Sequence, residues 1–209
     1  MELTFPWAPV KALANLAGEA DVRKWISGVW LDSSAPTVHV VAANGAMLGV
    51  YRTEEPSTNA APVFIPLSTI KVCKGFGPTA VVSIDDTGRA AVSCAGSQHF
   101  WQDEKHPCFD HRRVIPRSCT GQAQQFNAEF WASFIKVRRD LGLRHVFDAV
   151  QVRHNGGATT GPEGALVLLA GVPQFVGTVM SIREPKNAPP PLQAPAWVFE
   201  RTGEDYELV

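Results

Sequence analysis

Two short groups of residues have types and a spacing that could support catalysis. Ser68 and Lys71 form an S-x-x-K pair at the start of a helical segment, which is the spacing of a serine acyl-enzyme and its lysine. That chemistry also needs S-D-N-like and K-T-G-like partners, which the chain lacks. Asp86-Thr87-Gly88 matches the triplet of the aspartic proteases, in which two such carboxylates share a proton. Its polar surroundings are more typical of a turn.

A third group could bind a metal ion. His106, Cys108, His111 and Cys119 lie within 14 residues, but their spacings do not match a familiar zinc pattern. No G-x-G-x-x-G, Walker A, H-E-x-x-H or G-x-S-x-G motif is present. The sequence therefore favours a binding protein over an enzyme, and it predicts no catalytic residue, cofactor or metal.

The composition is that of an ordinary globular protein. Apolar residues make up 45% and charged residues 19% of the 209 residues, and the net charge is −1. No apolar run approaches the roughly 18 residues that a membrane span needs. The first residues show no signal peptide, and the four cysteines form no C-x-x-C pair. We therefore expect a cytoplasmic protein with reduced thiols and no membrane partner.

The elements that position these groups recur with a regular period. Short β-like runs at 2–6, 62–66 and 123–127 each meet a helix start. The junctions are Pro6, Pro66 and Asn127, which are 60 and 61 residues apart. Proline and asparagine are both typical of helix starts. Apolar stripes that end at a glycine predict helices over 7–17, 67–74 and 128–141.

Each predicted helix is followed by three strand-like runs. Hairpin signals separate these runs, among them Asn44-Gly45, Asp85-Asp86-Thr87-Gly88 and Asn155-Gly156-Gly157. The coarse unit is therefore β-α-β-β-β, about 60 residues long and present three times. We predict an α+β fold with antiparallel sheets, in which the units pack side by side because one unit cannot bury its apolar sheet face alone. The runs are 25–31, 37–43, 47–52, 80–84, 89–94, 98–101, 147–153, 165–169 and 175–183.

Positive charge is concentrated on the three predicted helices. They carry six basic residues against Glu129 and Asp140, although the whole chain is slightly acidic. If the helices line one surface, that surface suits loose, sequence-independent contact with phosphates. The basic residues are Lys11, Lys71, Lys74, Lys136, Arg138 and Arg139. The alternative is that they simply form solvated helix surfaces.

The C-terminal part differs from the rest. Residues 184–195 contain five prolines and no apolar periodicity, which is typical of a stiff linker. Residues 184–209 form this linker and an acidic tail, whose segment 197–199 could add a strand or occupy a groove. We expect a domain of two units over 1–116 and a third unit over 117–183.

Four blocks of sequence resemble the bacterial β sliding clamp, the processivity subunit of the replicative DNA polymerase. They are 21–29 (DVRKWISGV), 41–50 (VAANGAMLGV), 109–116 (FDHRRVIP) and the pair 126–127 with 178–183 (TVMSIR). Their order and spacing agree with the clamp over 1–183, and the resemblance also accounts for the repeat. The chain resembles three of the six half-domains of a clamp: the whole middle domain and the second half of the last one.

The resemblance implies a non-catalytic protein that encircles duplex DNA. An apolar groove would bind short peptide motifs of polymerases and repair proteins, and a clamp loader is a further expected partner. The positions that match the groove lining are Ile26, Gly45, Met47, Leu48, Arg113, Val114, Met180, Ile182 and Arg183. Ala46, Met47 and Ser181 depart from the family pattern, and the apolar members could instead fill the sheet core.

The resemblance also implies an oligomer. The family closes its ring with twelve inner helices, and this chain supplies three, so four chains would close the same ring. We therefore expect a homotetramer that acts as a DNA sliding clamp. The alternative is an adaptor or decoy with the clamp fold that binds clamp-interacting peptides without encircling DNA.

Overall fold

The computed structural model describes residues 2–19, 23–58, 61–73, 77–94, 97–104, 106, 108–144, 149–158 and 162–182. The helices are α1 (Trp7–Leu13), α2 (Leu67–Val72) and α3 (Ala128–Asp140). The strands are β1 (Glu2–Pro6), β2 (Gly28–Asp32), β3 (Thr37–Ala43), β4 (Met47–Pro56), β5 (Val63–Pro66), β6 (Thr79–Ile84), β7 (Arg89–Cys94), β8 (Ser97–Gln102), β9 (Val150–Arg153), β10 (Ala165–Leu169) and β11 (Val172–Val179). Every strand pair is antiparallel, so the expected α+β class with antiparallel sheets is confirmed.

The helix starts follow the local sequence. Pro6 and Pro66 occupy the N-cap positions of α1 and α2. Asn127 caps α3, because its side-chain oxygen accepts a hydrogen bond from Glu129 N at 3.0 Å. The helix ends are less well predicted: α1 gives way to a 3₁₀ turn at Ala14, and α2 ends at Val72.

We define three units, each of one helix and the three strands that follow it. The first unit is α1 with β2–β4, the second is α2 with β6–β8, and the third is α3 with β9–β11. The first two units exchange strands, since β1 pairs with β6 and β5 pairs with β2. The exchange produces a four-stranded sheet in the order β1-β6-β7-β8.

The third unit extends the other sheet. Strand β11 pairs with β4, which gives a seven-stranded sheet in the order β5-β2-β3-β4-β11-β10-β9. The expected strand at 123–127 is wrong, because this segment belongs to neither sheet. It crosses one end of its own unit instead: Gln122 O accepts from Gly156 N at 3.0 Å, and Gln125 O accepts from Ile182 N at 2.8 Å.

Two apolar clusters cover the two faces of the seven-stranded sheet. The larger cluster contains buried residues of all three helices, such as Leu13, Ile70 and Phe134. The smaller one contains Trp30 and Leu48, packed against Cys108, Phe109 and Ile115. These three residues belong to the stretch between β8 and α3, which we call the linking segment. The helices therefore lie on one side of this sheet and the linking segment lies on the other. No helix in the described part of the chain is long and apolar enough to cross a membrane.

Candidate functional site: an apolar groove and a basic helix layer

An apolar groove of about 400 Å³ lies where β4 meets β11. Four pieces of chain form its walls: the 3₁₀ turn at Lys24–Ile26, the β3–β4 hairpin, the linking segment and the end of β11. The residues that line it are Trp25, Ile26, Ala43, Gly45, Ala46, Met47, Leu48, Phe109, Asp110, Arg113, Val114, Thr178 and Met180. We call this feature the groove.

Hydrogen bonds and ring contacts hold the walls in place. The indole of Trp30, a buried residue of β2, donates to Trp25 O at 2.9 Å. The Trp25 ring packs against Phe109, with ring centroids 5.6 Å apart, so the turn and the linking segment meet. Met180 N donates to Ala46 O at 2.8 Å, which fastens the end of β11 to the hairpin.

The hairpin is fixed by its own turn. Asn44 accepts hydrogen bonds from Ala46 N at 3.0 Å and Met47 N at 2.8 Å. Gly45 has a φ of +89°, a conformation that glycine adopts with little steric cost. The predicted Asn-Gly turn is therefore confirmed, and it presents the start of β4 to the groove.

The groove has a buried floor and an exposed apolar rim. Leu48 and Met47 are buried, whereas Met180 is 40% and Val114 43% exposed. The charged groups on the rim have partners: the Arg113 guanidinium lies 3.3 Å from Asp110 Oδ2. A ligand in this groove would therefore be held mainly by apolar contacts, and the exposed rim residues would contribute most of the newly buried area.

The structure brings seven of the nine predicted groove residues to the lining: Ile26, Gly45, Met47, Leu48, Arg113, Val114 and Met180. Ile182 lies beyond this lining and is 51% exposed, and Arg183 lies outside the described residues. Sequence reasoning missed Trp25 and Phe109. Both lie in the clamp-like blocks 21–29 and 109–116, and aromatic residues beside predicted lining positions were the available signal.

Four of the five helix cations that the structure describes have exposed side chains. Lys11, Lys136 and Arg139 are exposed, while Arg138 is half-buried. Two cations have acidic partners, since Lys71 forms an ion pair with Glu19 and Arg139 Nε lies 3.4 Å from Asp140 Oδ1. Lys74 lies outside the described residues.

Helices α1 and α3 are joined directly by a hydrogen bond. Asn15, just after α1, donates to Asp140 at the end of α3 over 3.0 Å. All three helices pack on the larger apolar cluster, so their outer sides belong to one layer. The Lys71 side chain holds the pKa of Glu19 below its usual value. The Glu19 carboxylate therefore stays negatively charged and offsets part of the positive charge at α2.

A buried polar cluster links the first unit to the linking segment. Potential ligand atoms of Asp32, His39 and His111 lie within 4.8 Å of one another. The Arg112 guanidinium lies 3.4 Å from Asp32 Oδ2 and already supplies a cation there, so the geometry fits an ion-pair network better than a metal centre. Burial lowers the pKa of His111 to about 4, and this imidazole is therefore neutral at pH 7.

The motifs set aside in the sequence have ordinary structural roles. Asp85 Oδ1 accepts from Thr87 N at 2.9 Å and from Arg89 N at 3.0 Å, so the Asp-Thr-Gly triplet is in a turn. Lys71 is paired with Glu19 rather than with Ser68. Burial raises the pKa of the Cys108 thiol to about 11, which makes it unreactive at neutral pH.

Comparison with solved structures identifies the fold. The chain matches a Borrelia burgdorferi DNA polymerase III subunit β at 10% identity with a TM-score of 0.67, over 88% of this chain and 64% of that one. It matches the C. crescentus β sliding clamp at 13% identity with a TM-score of 0.63, over 87% and 65%. A Thermotoga maritima β subunit matches at 11% identity with a TM-score of 0.61, over 88% and 65%. No protein-family model and no curated protein sequence matches the chain.

The chain therefore has the fold of a DNA sliding clamp. The matching structures are β subunits of bacterial DNA polymerase III, which confirms the resemblance seen in the sequence. The match spans about 65% of the length of these clamps.

Proposed function

We propose that this protein is a sliding clamp, a processivity factor that encircles duplex DNA and tethers replication or repair proteins through the groove. The observation that carries the proposal is the groove itself. It lies at the joint between the first and third units, it is lined mainly by apolar side chains, and half-exposed residues such as Met180 form its rim. Extended peptides bind such grooves through apolar anchors.

Solved clamps with this fold are known with bound ligands. A Pseudomonas aeruginosa clamp is bound to griselimycin, and the B. burgdorferi subunit is in complex with a natural product. The C. crescentus clamp binds polyethylene glycol. For this chain, the proposed peptide site consists of the seven lining residues named above, and Ile182 and Arg183 are further proposed contacts.

The proposed DNA contact is the helix layer. Lys11, Lys71, Lys74, Lys136, Arg138 and Arg139 would face the DNA without reading its bases, because contacts to phosphate carry no sequence information. Sliding needs weak and exchangeable contacts, so affinity for linear DNA should be low and should fall steeply with salt. We further propose a cytoplasmic homotetramer, whose twelve helices would line the hole, and a clamp loader as a partner.

Retention on circular DNA tests this role. Lys11→Glu with Lys136→Glu reverses two exposed cations of the helix layer, and we expect at least a severalfold faster loss from nicked circular plasmid than for the wild type. Arg52→Glu with Arg117→Glu is a matched control, because both are exposed cations outside the helices. Equal retention of both variants would contradict the DNA-facing assignment.

The partial neutralisation of the helix cations favours a second candidate. Glu19 and Asp140 balance Lys71 and Arg139, so the field toward DNA is weaker than the basic count alone implies. An adaptor or decoy that binds clamp-interacting peptides without encircling DNA needs only the groove. Peptide binding by a protein that never stays on circular DNA would support this alternative.

A further inference from the structure

The two strand exchanges within the chain have the same register. Pro6 precedes α1 and pairs with Thr79, the first residue of β6. Pro66 precedes α2 and pairs with Gly28, the first residue of β2. In both cases the residue before a helix pairs with the start of the first strand of the other unit.

The hydrogen bonds at the two helix starts are also equivalent. Trp7 N donates to Pro78 O at 2.9 Å, and Leu67 N donates to Ser27 O at 2.9 Å. Each unit thus gives one strand and receives one strand. This reciprocity is what a local two-fold axis between the first and second units would produce.

In the described part of the third unit, both elements of this joint are present, but neither is paired with a strand of another unit. Among the described residues, β9 pairs with β10 alone and forms the edge of its sheet. The segment 123–127 precedes α3 as β1 precedes α1, but it joins neither sheet. An open strand edge is a template for another chain.

We propose that the third units of two copies of this chain exchange these segments across a two-fold axis. Residues 123–127 of each copy would pair with β9 of the other, antiparallel and with the buried faces matched as in the two internal exchanges. One two-fold operation would pair both elements, because each copy carries the donor segment and the open edge. The donor segment would exchange its hydrogen bond from Ile182 N to Gln125 O for bonds to β9 of the other copy. This inference does not depend on DNA binding or on the groove.

The burial pattern sets the register. In the internal exchanges, the residue two before the helix is buried opposite a buried partner: Phe5 faces Ala80, and Ile65 faces Val29. The corresponding residue of the third unit is Phe126. Val150 lies on the inner face of β9 and packs against the larger apolar cluster. Phe126 would therefore face Val150 of the partner subunit, which places Asn127 opposite the residue just before β9.

The same register places two exposed amides opposite each other. Gln125 would face Gln151 of the partner subunit, and both side chains are exposed in the single chain. Residues directly opposite in antiparallel strands point to the same face and have Cβ atoms about 4.5–5.5 Å apart. The apolar pair would therefore face the core and the amide pair would face solvent.

Disulfide trapping tests this register. Gln125→Cys with Gln151→Cys, in a full-length background with Cys108→Ser and Cys119→Ser, should give a covalent dimer on oxidation. Gln125→Cys with Arg153→Cys is the matched control, since Arg153 is exposed on the same face but two residues out of register. That spacing exceeds the range of a disulfide. The background itself and each single variant should stay uncrosslinked.

Mass measurement by light scattering at micromolar concentration completes the test. We expect an even number of chains for the wild type, with two or four as the predicted masses. A monomer or a trimer would overturn the proposal, as would equal crosslinking of the in-register and out-of-register pairs. A monomer that still binds peptide would overturn this inference and leave the groove proposal intact.

Discussion

The rim of the groove allows a quantitative test of peptide binding. We consider Met180→Ala combined with Val114→Ala, because these two apolar rim residues are 40% and 43% exposed. Full burial of a Val or Met side chain contributes about 1.5–3 kcal/mol. A peptide that covers the exposed part would therefore gain roughly 0.6–1.2 kcal/mol from each residue.

The double variant should lose about 1.2–2.5 kcal/mol of binding free energy, which is roughly an 8- to 70-fold rise in Kd. The probe is a short apolar peptide from the clamp-binding segment of a bacterial polymerase, titrated by calorimetry. The free energy of unfolding should change little, because both side chains are already partly in water. Leu48 is a poorer choice, since it is 3% exposed and its truncation would leave a cavity costing about 2–5 kcal/mol.

Val72→Ala combined with Ile135→Ala provides the control. These side chains are 60% and 52% exposed, and they lie on α2 and α3 rather than at the groove. Their loss should leave peptide affinity unchanged. An unchanged Kd for the Met180/Val114 variant, with an intact circular dichroism spectrum, would refute the groove as the peptide site.

Three further predictions concern stability and the tail. Burial lowers the pKa of His111 from 6.5 to about 4, so between pH 6.5 and 4 the unfolded chain takes up a proton that the native state does not. The free energy of unfolding should therefore fall by up to about 3 kcal/mol as the pH falls through this range. Urea unfolding at several pH values measures this, and an equal pH slope in His111→Gln would contradict it. Gly28→Ala should destabilise the β2–β5 pairing by more than about 2 kcal/mol, because the added Cβ would overlap Ile65 O. A thermal shift within error of the wild type would contradict this. Deletion of 185–209 should raise peptide affinity or promote association if the tail covers the groove or a sheet edge, and identical binding and sedimentation would make it only a tether.

Local signals in the sequence predicted the local structure. Pro6, Pro66 and Asn127 lie at helix starts because a capping residue acts on its own neighbours, and Asn44-Gly45 forms its turn for the same reason. The strand predicted at 123–127 was wrong, because a strand needs a neighbouring strand to pair with as well as a suitable sequence. The predicted boundaries at 116 and 183 and the acidic tail remain predictions.

Local sequence patterns do not predict which distant residues come into contact. His39 and His111 are 72 positions apart, and only the path of the linking segment over the sheet brings them to Asp32. The exchange of β1 and β5 between units is likewise absent from any local pattern. The groove residues were largely found because the clamp-like blocks preserve their order along the chain.

The strand exchange also constrains the order in which the protein can be made. Strand β1 ends at Pro6, but its partner β6 runs from Thr79 to Ile84. During synthesis, a nascent chain of sixty residues therefore contains β1 without its partner β6 and β2 without its partner β5. Such long-range pairing delays stable folding until its partner has been synthesised, and unpaired edges are exposed to association in the meantime. A ribosome-bound chain should thus gain protease resistance in one step, soon after the second unit has left the exit tunnel, rather than one unit at a time.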